Sequence, residues 1–434
     1  MKILFYNPAP SQRRFVPFEA IKGSTLFRRP NYDALRFSYY SKGHDFYYYD
    51  EGIEEKPNIS PDIIIINIPL NLARYVESSI AQWGDKPITV CYGIYATIFP
   101  EMAKKFSEVV VAGDILSIWG NILADFKKQK FADFYVAERS DHFNVDRRFE
   151  NRYGFTPSLS QLRTTFGCKC HPMQKDYCPE NILYKEFRQW HPDKVVDEVS
   201  HIKRKIIFVL DDDFLWDIDH ALMILEKSWR YKKMWILQTT ADTIFDHPEL
   251  LPILREDGVR IIYLKEDWLG TNLGNRINDK NFIKEKAHQV GLIHNKRIAV
   301  GCKLRLGFEN ETFSFYRSLL KFLINARIDL IELAVHTPMP KTDTYKKYMK
   351  NDQIVKDFTL YDQWMPVVRT PGIEPQALYS WMEWLRDRFY SWDSILLRNI
   401  IVSPQLGFHN TAFFYLIPNL SYRNNFLEKV GYPP

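Results

Sequence analysis

The sequence predicts an α/β protein: a doubly wound parallel sheet, then a partial barrel of six β/α units, then a helical C-terminal region. Three observations carry this. Short β-rich runs alternate with helical stretches through residues 1–345, the pattern of parallel sheets joined by crossover helices. The run Asp62-Ile-Ile-Ile-Ile-Asn-Ile68 is nearly all apolar, as in a strand buried on both faces. Residues 346–434 are instead helical and aromatic.

Residues 1–135 hold strands at 2–6, 44–49, 62–68, 87–91 and 108–112, with helical stretches such as 71–83 and 99–106 between them. Such sheets bind ligands beyond the C-terminal ends of their strands. Two strand ends have suitable sequences, Asn7-Pro8-Ala9-Pro10-Ser11 and Tyr92-Gly93-Ile94-Tyr95-Ala96-Thr97. Residues 136–160 are charged and aromatic without a period and read as a linker. Residues 161–345 hold strands at 162–166, 205–210, 234–239, 259–264, 297–304 and 330–335. Helical stretches at 192–203, 218–230, 248–255, 281–290 and 311–326 follow the first five, and Pro192 and Pro248 suit first-turn positions. A complete eight-unit barrel would need about two more units. In the tail, helical patterns at 377–392, 392–401 and 408–420 read as a cap.

With 434 residues, 46% hydrophobic and 26% charged, the chain buries a large core. Its net charge of +5 is spread among nearly as many acids as bases, which argues against a nucleic-acid partner. No apolar run approaches the roughly 20 residues of a membrane span. The start, Met1-Lys-Ile-Leu-Phe-Tyr-Asn-Pro8, reads as a strand stopped by proline rather than a signal peptide. Five cysteines, an odd number, do not make a disulfide framework, so a reducing cytoplasmic setting is expected. The 15% aromatic share fits deep core packing, and equally flat walls for a large planar or lipid-like ligand.

Three of the five cysteines, Cys168, Cys170 and Cys178, fall within eleven residues after the first strand of the second series. Clustered thiolates on a loop bind a soft metal or an iron–sulfur cluster, or do redox work. Barrels place their chemistry at this C-terminal rim.

Several stretches, in one order, resemble the cobalamin-binding radical S-adenosylmethionine (SAM) enzymes. They are Gly93 to Glu101, Val109-Val-Val-Ala-Gly113-Asp114, Thr164-Thr165-Phe-Gly167-Cys168 and Phe208-Val-Leu-Asp211-Asp212-Asp213-Phe214. Trp235-Ile-Leu-Gln238-Thr, His247-Pro-Glu-Leu-Leu, Thr337-Pro-Met-Pro340-Lys-Thr-Asp-Thr-Tyr345 and Phe389-Tyr390-Ser391 with Leu396 and Leu397 continue the series. The resemblance covers about residues 1–400. It implies a Rossmann-like cobalamin-binding domain, a radical SAM partial barrel, and three cofactors: a 4Fe-4S cluster, SAM and cobalamin. In this family a deoxyadenosyl radical made from SAM abstracts hydrogen from an unactivated carbon, and cobalamin commonly supplies a methyl group to that carbon. The implied function is methyl transfer to a large apolar or planar metabolite such as a lipid, tetrapyrrole or natural product. The alternatives are cobalamin-dependent cyclisation, rearrangement or oxidation, and a non-catalytic relative. The implied electron donor is a flavodoxin or ferredoxin.

The chain departs from the family pattern in places. The usual loop is Cys-x3-Cys-x2-Cys. Here nine residues separate Cys168 from Cys178, and Lys175 stands where the middle cysteine belongs. The resemblance assigns the cluster to Cys168, Cys170 and Cys178. His171 as a ligand, a closed zinc site and a loop without metal are the other readings. No Asp-x-His-x-x-Gly motif supplies cobalt with a histidine; Tyr95 replaces a histidine, Asp114 a glutamate, and Lys265-Glu266-Asp267 a Gly-Phe-Glu.

By the same resemblance Pro8, Ala9, Ser11, Gly93, Ile94, Tyr95, Ala96, Gly113 and Asp114 are expected at cobalamin. Tyr177, Asp211, Asp212, Asp213, Gln238, Glu266, Lys303 and Arg305 are expected at SAM, and His336 at substrate. Each has a plainer reading. The aspartates can form a solvated helix cap, Gln238 an ordinary polar contact, and Tyr177 loop packing. Lys303 and Arg305 alternate on one strand face and can meet a ligand anion or pair with Glu266. Cys302 reads as a small core residue. The aromatic tail fits a substrate pocket or core packing equally.

Overall fold

Two six-stranded parallel sheets organise the chain. The computed structural model describes all residues except 10–29, 85–86, 139–140, 153–158, 168, 170–177, 185, 270–272, 309–310, 371–372 and 426–434. Its contacts divide into two units. The first comprises Met1–Phe155, Phe166–Gln189 and Thr337–Asp362, and the second Thr156–Thr165, Trp190–His336 and Gln363–Pro434.

The first unit is built on β1 (Lys2–Asn7), β2 (Asp45–Asp50), β3 (Ile63–Asn67), β4 (Ile88–Tyr92), β5 (Val109–Ala112) and β6 (Phe134–Val136). Their order is β2-β1-β3-β4-β5-β6, all parallel. The order reverses direction between β1 and β3, and that reversal opens a crevice at their C-terminal ends. The Ile63–Ile66 run is fully buried, because helices cover both faces of a doubly wound sheet. Burying each such side chain is worth about 1.5–3 kcal/mol. The helix Tyr32–Tyr40 starts at Asn31, whose side chain accepts from Asp33 N at 3.0 Å and so satisfies an orphan donor. β6, the helix Trp119–Lys127 and this first helix add to the elements expected from sequence.

The second unit is built on β7 (Leu159–Leu162), β10 (Ile206–Val209), β11 (Met234–Thr239), β12 (Val259–Leu264), β13 (Ala299–Leu306) and β14 (Leu330–Val335). These follow chain order across the sheet, as in a half-barrel of six β/α units. Two strands differ from their expected places, and β13 does so by starting and ending two residues later than 297–304. The first barrel strand is 159–162 rather than 162–166, because Ser160 and Gln161 are buried as strand residues between Leu159 and Leu162. The next residues, β8 (Thr165–Phe166), pair instead with β9 (Arg188–Gln189) in a two-stranded ladder. Pro192 heads its helix, as expected, whereas Pro248 precedes the helix Leu250–Glu256.

The C-terminal helices include Pro375–Phe389 and Trp392–Leu406, followed by a π-helical turn at Thr411–Leu416. They cover the edge of β14. Tyr390 Oη accepts from Ile331 N at 2.9 Å and donates to Ile331 O at 2.8 Å, which satisfies an open strand edge. Arg398, 0% exposed, donates to the carbonyls of Ile328, Asp329 and Phe389 and to Asn419 Oδ1.

Candidate active site

In the first unit the strand ends carry two linked turns. Thr97 Oγ1 donates to Gly93 O at 2.8 Å and accepts from Gly113 N at 3.2 Å, which ties the turn after β4 to the turn after β5. Pro8, Ile94, Tyr95 and Ala96 are buried, and Ala9 is half-buried. Ala9 N donates to Glu51 Oε2 at 2.8 Å; the same carboxylate accepts from Tyr6 and Tyr75. Tyr95, standing where a histidine was expected, packs on Phe99 and Phe106. Asp114 is buried; Arg188 Nη2 donates to it at 3.0 Å, and Arg36 lies 3.8 Å away. Ser11 lies outside the described residues.

The same unit holds both flanks of the cysteine-bearing segment. Cys178 caps the helix Pro179–Leu183, which packs on the helix Ile94–Ile98. Cys168, Cys170, His171 and Tyr177 lie outside the described residues. Gly167, at φ 76°, brings its backbone against Glu186 O; a Cβ there would sit 2.7 Å from that oxygen.

In the second unit the strand ends gather charge on one face. Side chains alternate across a strand, so Gly301, Lys303 and Arg305 of β13 share a face. Lys303 pairs with Glu332 of β14 at 3.3 Å, and Arg305 with Glu266 at 2.8 Å. Lys265 pairs with Asp212 at 2.7 Å, and Gln238 Nε2 donates to the Asp212 carbonyl at 2.7 Å. Tyr263 Oη lies 3.3 Å from Tyr422 Oη, which donates to Glu332 at 3.0 Å. Gly301 makes room for the Tyr263 ring; a Cβ at this position would lie 2.3 Å from it. This face is a row of paired acids and bases, most of them half-buried.

The three consecutive aspartates divide their roles. Asp211, 1% exposed, accepts from Thr164 N at 2.7 Å, Thr165 N at 3.1 Å and Thr164 Oγ1. Burial pushes its carboxyl up to about 6 against those three donors. Asp213 accepts from Thr239 Oγ1 at 2.8 Å and Thr240 N at 3.3 Å; burial raises it too, opposed by Lys265. Only Asp212 is half-exposed. His336, after β14, stacks on Phe308 with ring centroids 4.8 Å apart. Burial, aided by Arg305, lowers its imidazole to about 4, so it is neutral at pH 7. Cys302 is buried in the core, as expected.

Sequence reasoning left several of these residues without a role: Glu332, Tyr422, Arg36 and Arg188. The period of two on β14 points to Glu332 opposite Lys303. Tyr422 comes from the far end of the chain and has no local signal.

No family model matches the chain. It is 22% identical over 287 residues to a bacteriochlorophyllide d C-12(1)-methyltransferase of Chlorobaculum tepidum, across 63% of this chain and 62% of the relative. It is 22% identical over 217 residues to an anaerobic magnesium-protoporphyrin IX monomethyl ester cyclase of Rubrivivax gelatinosus, across 48% and 38%. It thus spans less than two thirds of the length of these relatives. Among solved structures, the cobalamin-dependent SAM radical enzyme OxsB, with aqua-cobalamin and SAM bound, has a similar fold. Its TM-score is 0.62 at 12% identity, over 97% of this chain and 71% of that one. The radical SAM methyltransferase TsrM of Kitasatospora setae, with cobalamin and a 4Fe-4S cluster bound, gives 0.58 at 14% identity, over 82% and 75%. Sequence relatives and fold agree with the ordered motifs.

The chain is thus similar in sequence to a methyltransferase and a cyclase, and in fold to cobalamin-dependent radical SAM enzymes. Its α/β architecture matches the fold of OxsB and TsrM. Among the described residues, no helix is long and apolar enough to cross a membrane.

Proposed function

We propose that this protein is a radical SAM enzyme that cleaves SAM at a 4Fe-4S cluster held by Cys168, Cys170 and Cys178, and methylates an unactivated carbon of a planar or polycyclic metabolite with cobalamin as methyl carrier. The observation that carries this is the row of half-buried, ion-paired side chains at the strand ends of a six-unit half-barrel. It suits the amino acid end of SAM, which bears both a carboxylate and an ammonium. When bound, the cluster supplies one electron to SAM.

The protein's own residues bind and orient. Asp212, Gln238, Glu266, Lys303 and Arg305 contact SAM, and Asp211 and Asp213 hold the strand ends from beneath. The turns at Pro8–Ala9, Gly93–Ala96 and Gly113 receive cobalamin, with Asp114 beside them. Neutral His336 meets the substrate. A planar substrate fits two relatives, whose names specify a bacteriochlorophyllide and a magnesium-protoporphyrin. The second of them is a cyclase, which favours radical ring closure as the second reading.

Anaerobic reconstitution with iron and sulfide tests the proposal. The expected result is about four irons per chain, SAM cleavage, and co-elution of added cobalamin. Stoichiometric zinc with no iron would overturn it. Cluster formation and SAM cleavage without cobalamin binding would remove the methyl carrier and leave the radical step.

A further inference from the structure

Asp114 follows β5 by two residues and does more than start the next turn. Its carboxylate, 3% exposed, lies between two buried guanidiniums: Arg188 Nη2 at 3.0 Å from Oδ2 and Arg36 Nη2 at 3.8 Å from Oδ1. Arg36 also donates to Asp33 at 3.2 Å and to His142 O at 3.3 Å. Burial works against the Arg36 charge, but Asp114 and Asp33 outweigh it and raise its pKa. Both guanidiniums lie over the Phe166 ring, at 4.5 Å for Arg36 and 5.6 Å for Arg188. Phe166 and Arg188 belong to β8 and β9, the ladder that brackets the cysteine-bearing segment. A buried, forked ion pair fixes geometry in a way a mobile surface pair does not.

We infer that Asp114 is a positioning residue: clamped by Arg36 and Arg188, it holds the neck of the cysteine-bearing segment on the sheet that also carries the Gly93 and Gly113 turns. The clamp couples the two cofactor regions of the proposed function, so its importance for chemistry rests on that reading, while its mechanical part does not. Removing the Asp114 charge takes their shared carboxylate from two buried guanidiniums, and the neck loses this anchor.

The test uses the full-length chain in two states. In metal-free protein, hydrogen exchange is measured for Asp114→Asn, Asp114→Glu and Arg188→Gln. Asp114→Asn and Arg188→Gln are expected to speed exchange of the β8 and β9 amides roughly tenfold, with β10 to β13 unchanged, and Asp114→Glu to restore it. In reconstituted protein, Asp114→Asn is expected to weaken the change that added SAM makes in the spin-resonance signal of the reduced cluster, and Asp114→Glu to recover it. Wild-type exchange at β8 and β9 in both disrupting variants overturns the clamp. So does a rise spread evenly over both sheets in both. Selective loosening with an unaltered spin-resonance response overturns the positioning role. If wild type takes up no iron, the proposed function fails, and the exchange result still decides the clamp.

Discussion

Asp211→Asn tests whether the residues before the cysteine segment are held by a buried charge. Asp211 ordinarily titrates at 3.8; burial raises it to about 6 in the folded chain. A raised carboxyl binds its proton more tightly when folded. The stability it contributes is therefore complete below pH 3.8 and is lost as pH rises through about 6. At 1.36 kcal/mol per tenfold in affinity, the interval from 3.8 to about 6 is worth about 3 kcal/mol. Asparagine is neutral throughout. Its Oδ1 can accept from Thr164 N and Thr165 N, and its Nδ2 can donate to Thr164 Oγ1, so the three contacts survive with one reversed. The assay is urea unfolding of wild type and variant between pH 4 and pH 7.5, read as the difference, in which other titrating groups cancel. The variant is expected to gain about 2.5 kcal/mol on wild type across that range, since part of the effect already lies below pH 4. A difference constant with pH would refute the assignment of a buried, titrating carboxylate. Thr164→Val removes one of the three donors, and should cost about 1.5–3 kcal/mol at pH 7, where the carboxylate is charged.

Other outcomes follow from the same geometry. Gly301→Ala places a Cβ against the Tyr263 ring and should cost about 1–3 kcal/mol in urea unfolding; pairing it with Tyr263→Leu should recover part of the loss. Arg398→Met removes a donor from four buried acceptors and should cost about 3–5 kcal/mol, with early loss of C-terminal helix signal in circular dichroism. His336, lowered to about 4, should add no limb to a pH–rate profile between pH 5 and pH 8; a profile that loses a limb there in His336→Asn would contradict its neutral state.

The fold was largely legible because parallel strands buried on both faces read as apolar runs. Residues 62–68, 234–239, 259–264 and 330–335 all lie at or within a residue of their strands. The first barrel strand was displaced because Leu159-Ser-Gln-Leu162 carries two polar residues that tertiary burial, not composition, makes into strand. Of the candidate site, the strand-end acids and bases were visible by position and alternation. Their partners were only partly so: Arg305 with Glu266 was foreseen, Lys303 with Glu332 was not. Arg36 and Arg188 were invisible, since nothing local tells a buried arginine from an exposed one. The partner of Arg188 lies 74 residues away in sequence.

The paired strands β8 and β9 also bear on how a cysteine spacing can change. With the two ends of the segment tied together, its closure entropy depends only on the logarithm of its length. Three residues added to a segment of about twenty shift that cost by only about 0.1 kcal/mol. Register in β7 and β10 is set outside the tie, so it does not feel the insertion. Thiol spacing can therefore drift in evolution almost independently of barrel stability, and a departure from the usual interval is thermodynamically cheap.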